Sequence, residues 1–143
     1  HYTLIAVFPD KGLSKDITNL ISISLAVVLV LMMVFFLDKL YTAFNAFFTL
    51  TILVFTFVFK PQLLNRFYIA WGLLMLPFLM VNGLLTGSLI EAPIVWYNNA
   101  ENLGIRMFTI PVEDVFYGMG LILLNILLIE IFLPKALQTR VHS

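Results

Sequence analysis

The chain has 143 residues, of which 62% are hydrophobic and 11% charged, and its formal net charge is zero. A soluble domain carries about 25% charged and about 45–50% apolar residues, so the excess calls for lipid as solvent. A neutral chain also offers no global field to draw in nucleic acid or an acidic substrate.

In chain order, the first apolar run, from about Asp16 to Leu37, is long enough to cross a hydrocarbon core, which takes about 20 helical residues. Asp16 or Thr18 is placed to cap its start, and Asp38-Lys39 marks a polar turn at its end. The second span runs from about Tyr41 to Phe59, rich in Phe and Thr, and Lys60-Pro61-Gln62 ends it. The third runs from about Phe67 to Leu85, with Pro77 placed to kink it. From about Thr86 to Ile110 the chain is too polar to span and too aromatic for a simple solvent loop. Trp96 and Tyr97 suit the headgroup level, where amphipathic rings concentrate. A fourth span from about Pro111 to Phe132 precedes Pro134 and a polar tail. The fold class is therefore an all-α membrane protein, a bundle of about four transmembrane helices with a mixed interfacial segment before the last.

Loop charges orient the bundle. Lys11, Lys15, Lys60, Arg66, Lys135 and Arg140 fall on one side, against Lys39 and Arg106 on the other. The positive-inside rule then predicts cytoplasmic termini and an outward 86–110 segment, in a multi-pass protein of the cell (inner) membrane. No internal repeat stands out, and the whole of 1–143 reads as a single membrane domain. The chain opens on His1 rather than Met and is expected to belong to a longer product.

The candidate chemistry lies in Pro111-Val112-Glu113-Asp114, at the start of the fourth span. One reading is structural: proline suits the first helical position and two acids in the first turn suit the helix dipole. The other is functional. Carboxyls at the edge of a low-dielectric bundle are disfavoured in their ionised form by desolvation and by each other, and a neutral carboxylic acid is a proton donor. At least one of the two is then expected to hold its proton at neutral pH. Helical spacing groups Glu113 with Phe116 and Tyr117, and Asp114 with Tyr117. Aromatic faces beside an acid suit a cationic intermediate, although the same rings also serve as packing. Arg106 is within reach of Glu101, Glu113 or Asp114, or of a lipid headgroup. Asn82, Thr86, Gly83 and Gly87 fit close helix packing, and Asn45 and Asn125 fit interhelical hydrogen bonding.

Absences narrow the field. With no cysteine there is no disulfide, thiolate metal site, iron–sulfur cluster or covalent haem. The histidines, His1 and His142, lie at the two ends, so a haem or copper site would lack its imidazoles. No lysine lies within a span, and no dinucleotide fingerprint, nucleophile elbow or zinc helix occurs.

The stretches Asn82-Gly83-Leu84-Leu85-Thr86-Gly87, Pro93-Ile94-Val95-Trp96-Tyr97-Asn98, Gly104-Ile105-Arg106 and Thr109-Ile110-Pro111-Val112-Glu113-Asp114-Val115-Phe116-Tyr117 resemble the lycopene cyclase domain family, the small membrane type. The resemblance is strong over about 82–132 and earlier is one of span layout. It implies cyclisation of the ψ-ends of lycopene to β-ionone rings, giving γ-carotene and then β-carotene, with no net oxidation and no cofactor or metal. The family's Pro-x-Glu-Glu/Asp motif falls on Pro111, Glu113 and Asp114. By that resemblance Glu113 and Asp114 are the proton donor and the acceptor or charge stabiliser, in an order the residues leave open. Pro111, Phe116, Tyr117, Asn82, Trp96, Tyr97 and Arg106 are then candidates for lining the substrate. Complete family members look like two related halves, each with a Pro-x-Glu motif, and this chain carries the C-terminal one. An N-terminal half or second subunit is thus expected to complete the site. The partners implied are a carotenoid in the bilayer and membrane lipid, with no nucleic acid. Two alternatives stay open: a membrane terpene or isoprenoid cyclase on another substrate, and a non-catalytic pigment-binding membrane subunit.

Overall fold

A computed structural model describes residues 12–88 and 92–132. His1, Lys11, Pro134, Lys135, Arg140 and His142 lie outside the described residues, and with them three of the six basic residues on the charge-rich side. Among the described residues four helices are long and apolar enough to cross a membrane: α1 (Lys15–Phe35), α2 (Leu40–Phe59), α3 (Pro61–Leu85) and α4 (Val112–Phe132). The chain is an all-α membrane bundle, with one small antiparallel hairpin, β1 (Arg106–Met107) against β2 (Ile110–Pro111).

The helix ends differ from expectation in three places. Ser14, not Asp16 or Thr18, caps α1, its Oγ accepting from the Ile17 N–H at 3.3 Å. Such a cap stabilises a helix by about 1 kcal/mol. The Thr18 hydroxyl instead donates to the Ser14 carbonyl at 2.9 Å. The third helix starts at Pro61, not Phe67, so a single residue, Lys60, joins α2 to α3. Proline ends α2 and opens α3 for the same reason: it has no N–H to offer a preceding carbonyl, and the first helical position needs none. Leu63 and Leu64 are then buried on the added turns. Pro77 sits inside α3, which continues through it as one element. At the start of α4, Pro111 belongs to the hairpin and Val112 is the first helical residue.

Helix α2 is the hub, packing chiefly on α1 and α4. Its buried face reads Thr42, Asn45, Ala46, Thr49, Leu53 and Thr56 at helical spacing, four of the six small or hydroxyl-bearing. Such residues let membrane helices approach closely without a hydrophobic driving force between them. Thr42 reaches Glu113, and Thr49 donates to the Phe116 carbonyl at 2.9 Å, so α2 and α4 run in the same direction. Gly120 makes the approach possible: a Cβ there would lie 2.9 Å from Thr49 Oγ1 and 3.0 Å from Phe48 Cε1. Behind this seam Leu29, Leu53, Phe67, Met119 and Leu123 form the buried core. Leu20, Ile23, Val34, Phe44, Phe47, Val58, Leu76 and Met80 point away from it, an outer surface suited to lipid.

The segment between α3 and α4 folds back over the shared end of α2 and α4. The Glu101 carbonyl accepts from the Tyr41 N–H at 3.0 Å and its carboxylate from the Leu40 N–H at 3.3 Å, so this residue caps α2 from 61 positions away. Lys39 donates to the Ala100 carbonyl at 2.9 Å. The hairpin turns through Phe108, at φ 58°, and Thr109 Oγ1 lies 2.6 Å from both Thr86 Oγ1 and Ser88 Oγ, tying the segment to the end of α3.

Candidate functional site

The fold of the segment sets two carboxyls against two walls. Glu113 and Asp114, in the first turn of α4, are 0% and 6% exposed. One wall is α2, whose first turns carry Tyr41, Thr42 and Asn45. The other is the 92–110 stretch, which brings Tyr97 and the Leu103 amide.

The two acids are partnered in opposite ways. Asp114 accepts on both oxygens, from the Tyr41 hydroxyl on Oδ1 and the Tyr97 hydroxyl on Oδ2. That is the bonding of a carboxylate, which has acceptors only. The two phenol rings meet edge to face at 5.8 Å, so each helps fix the other. Burial holds the Tyr97 hydroxyl above its usual range, and the bond to Asp114 and that residue's charge add to this, so Tyr97 stays a neutral donor. Arg106 supports Tyr97 from outside, its guanidinium 5.9 Å from the ring centroid.

Glu113 receives both of its donors on a single oxygen. Oε1 accepts from Thr42 Oγ1 at 2.6 Å and from the Leu103 N–H at 2.7 Å. Leu103 is presented by a turn in which Gly104, at φ 69°, donates its N–H to Asn102 Oδ1 at 2.8 Å. The second oxygen, Oε2, is buried with no hydrogen-bond partner. A buried polar oxygen is rarely left so, and each case asks for an explanation. The one other buried side-chain atom in this state among the described residues is Asn45 Nδ2.

The other residues singled out from sequence divide. Pro111 is fully buried beneath the site, and Tyr97 is part of it. Arg106 pairs with no carboxylate among the described residues; its two Nη atoms donate to the Thr109 carbonyl at 2.7 Å and Asn99 Oδ1 at 2.6 Å. Phe116 and Tyr117 lie one turn further along α4. Phe116 packs on the core and the Tyr117 ring sits 5.7 Å from Phe48, open on one side. Tyr117 is thus not the aromatic partner of Asp114 that helical spacing suggests. Asn82 donates to the Phe78 carbonyl of its own helix at 3.0 Å. Trp96 is 81% exposed, its Nε1 donating to the Pro93 carbonyl at 3.0 Å. Sequence reasoning missed Tyr41, Thr42 and Leu103. Their one local signal is polar spacing, Tyr41-Thr42 followed by Asn45 and Thr49, at the start of an otherwise apolar span.

A family model described as lycopene cyclase matches residues 38–132, more than half of the chain and both walls of this site. The chain belongs to the lycopene cyclase family. Membership makes this lycopene cyclase domain an enzyme of carotenoid cyclisation in general, and its four apolar helices make it a multi-pass membrane protein. The match begins at Asp38, so it takes in Tyr41, Thr42 and Asn45 as well as the Pro-x-Glu-Asp stretch of α4. No curated protein and no solved structure matches the chain.

Proposed function

We propose that this chain carries the acid site of a lycopene β-cyclase, an isomerase that closes the ψ-ends of lycopene into β-ionone rings, with Glu113 as proton donor and Asp114 as charge stabiliser. The observation that carries the reading is the lone Oε2 of Glu113, buried and unpartnered beside a carboxylate whose own oxygens are both occupied. A carboxylate with one bare buried oxygen is costly, and a carboxylic acid with its hydroxyl unpaired in apolar space costs much less. Two neighbouring acids in contrasting environments are the usual way for a site to separate donor from stabiliser.

The steps follow from the chemistry. The Oε2–H bond breaks and the proton joins the terminal C=C of the ψ-end, whose electron pair forms the new C–H bond. The tertiary cation left on the neighbouring carbon is attacked by the next suitably placed C=C, which closes the ring. The ring cation then loses a proton from an adjacent carbon to the Glu113 carboxylate, which regains its acid form, and that C–H pair becomes the ring double bond. Atoms and electrons balance with no oxidant. The buried charge of Asp114 and the faces of Tyr41 and Tyr97 stabilise the cation while it lasts. A hydrocarbon offers no polar handle, so its binding rests on apolar contact from within the bilayer. Pro111, Phe116, Tyr117, Trp96 and Arg106 are proposed around its path, with Asn82 at the far edge. A second half, from an upstream segment or another subunit, completes the enclosure, and we place the whole in the cell membrane with cytoplasmic termini.

Expression of the full gene in lycopene-accumulating cells, followed by pigment separation, tests the reading. Conversion of lycopene to γ- and β-carotene is expected. Unchanged lycopene, with the protein inserted together with its partner half, would overturn it.

A further inference from the structure

Tyr97 reaches Asp114 from an arm that no helix or strand holds: the described residues 92–105 belong to neither. Backbone bonds tie the arm on both sides of the tyrosine. Before it, the Ile94 and Val95 N–H groups donate to the Leu85 carbonyl at 2.9 and 3.0 Å, and after it the Glu101 N–H donates to the Asn98 carbonyl at 3.0 Å. These ties fix the path of the chain, not the direction of the phenol. The Tyr97 ring is half-buried, with Tyr41 on one edge and the Arg106 guanidinium nearby.

Arg106 is built into the strand pair that leads to the acids. It lies opposite Pro111 in the register, and the Val112 N–H donates to the Ile105 carbonyl at 3.0 Å, so its backbone is fixed relative to the first turn of α4. From there its side chain reaches across to the arm. One Nη donates to the Thr109 carbonyl at 2.7 Å, within the hairpin, and the other to Asn99 Oδ1 at 2.6 Å, two residues beyond Tyr97. Its Cζ lies 5.9 Å from the Tyr97 ring centroid. A planar fork of donors with a face for an aromatic ring suits this three-way contact, and the point charge of a lysine does not.

We infer that Arg106 is a positioning residue for the acid site, clamping the Tyr97 arm to the hairpin and so keeping the Tyr97 hydroxyl on Asp114 Oδ2. The inference rests on the proposed role of Asp114 as charge stabiliser. No proton moves to or from Arg106. A carboxylate whose donors are already in place needs no reorganisation as the cation forms, so the clamp bears on the chemical step rather than on substrate binding. It is also specific to the Asp114 side. The Leu103 amide that serves Glu113 is set by a separate turn, through Asn102 and Gly104.

The test is a double-mutant cycle in the full-length protein in membranes: Arg106→Met, which has neither charge nor donors, Tyr97→Phe, and the two together. Arg106→Met alone should lower kcat by roughly 10-fold with KM unchanged. In the Tyr97→Phe background it should cost less than about twofold more, because the contact it serves is already gone. Arg106→Lys should recover only a small part. The same fold loss in both backgrounds, a raised KM at unchanged kcat, or full recovery by Arg106→Lys would each overturn the inference. Fluorine NMR of protein carrying 3-fluorotyrosine, its lines assigned by single Tyr→Phe variants, gives a readout without lycopene. Arg106→Met should shift or broaden the Tyr97 line and leave those of Tyr68 and Tyr117 in place. An unmoved Tyr97 line, or equal movement of all three, would count against the clamp. This arm needs no cyclisation, so it separates failure of the clamp from failure of the cyclase reading, which shows as no ring product from the wild type. If Arg106→Met does not insert, Arg106→Lys takes its place in both arms, with the same outcomes at smaller size.

Discussion

Glu113 and Asp114 are chain neighbours, yet the side chains around them leave them different chemistry. Asp114 receives a phenol on each oxygen; Glu113 receives a hydroxyl and an amide on Oε1 and nothing on Oε2. If Asp114 acts by its charge, what matters is how firmly that charge is held. Tyr97→Phe deletes one donor to a charged acceptor, an interaction worth about 1.5–3 kcal/mol. Ring formation should then fall by roughly 10- to 100-fold while the protein still inserts, measured as the initial rate of lycopene loss in isolated membranes. Thr42→Val removes a donor from Glu113 Oε1 instead and should lower the rate without changing the amount of folded protein. Equal rates for Tyr97→Phe and wild type would mean that the Tyr97–Asp114 bond is structural only.

At the scale of elements, the site depends on the close parallel run of α2 and α4. Gly120→Ala would push a methyl group to 2.9 Å from Thr49 Oγ1 and 3.0 Å from the Phe48 ring. Overpacking of this kind costs about 1–3 kcal/mol. Because the strain falls two turns from Glu113, a lowered thermal midpoint in detergent should accompany partial loss of activity; an unchanged midpoint would show that the seam has slack. The spans themselves were legible because lipid imposes a length and a polarity that no other environment does. The start of α3 was not, since Gln62, Asn65 and Arg66 interrupt the apolar run while helix geometry and Pro61 carry the backbone through them. Pro111 was misplaced by one residue because a strand pair, invisible in two residues of sequence, claims it. The motif acids were singled out from their place in the first turn of an apolar span and from family likeness. Tyr41, Thr42 and Leu103 were not, because Thr42 meets Glu113 across 71 positions and the Leu103 donor is a backbone amide with no side-chain signature.

For the whole molecule, the segment between α3 and α4 and the N-terminal ends of α2 and α4 lie together, so the acids sit near one membrane surface, beneath that segment. The bias of the basic residues in the sequence predicts that this surface faces outward. Asn99→Cys in this cysteine-free chain should therefore react with an impermeant maleimide from outside the cell, and labelling from the cytoplasm alone would reverse the orientation. Trp96, 81% exposed beside the spans, should be quenched by lipid-borne quenchers placed near the headgroups; quenching by aqueous iodide alone would set the segment away from the membrane. The central claim is that Glu113 delivers the proton that starts ring closure. Its most direct test is the pigment made by Glu113→Gln in lycopene-accumulating cells, with membrane-inserted protein matched to wild type. General acid catalysis is commonly worth about 10²–10⁴-fold, and an alkene has no easier site to protonate, so lycopene should accumulate with no detectable cyclised product. Near-normal β-carotene from Glu113→Gln would contradict the account and leave Glu113 as part of a helix start.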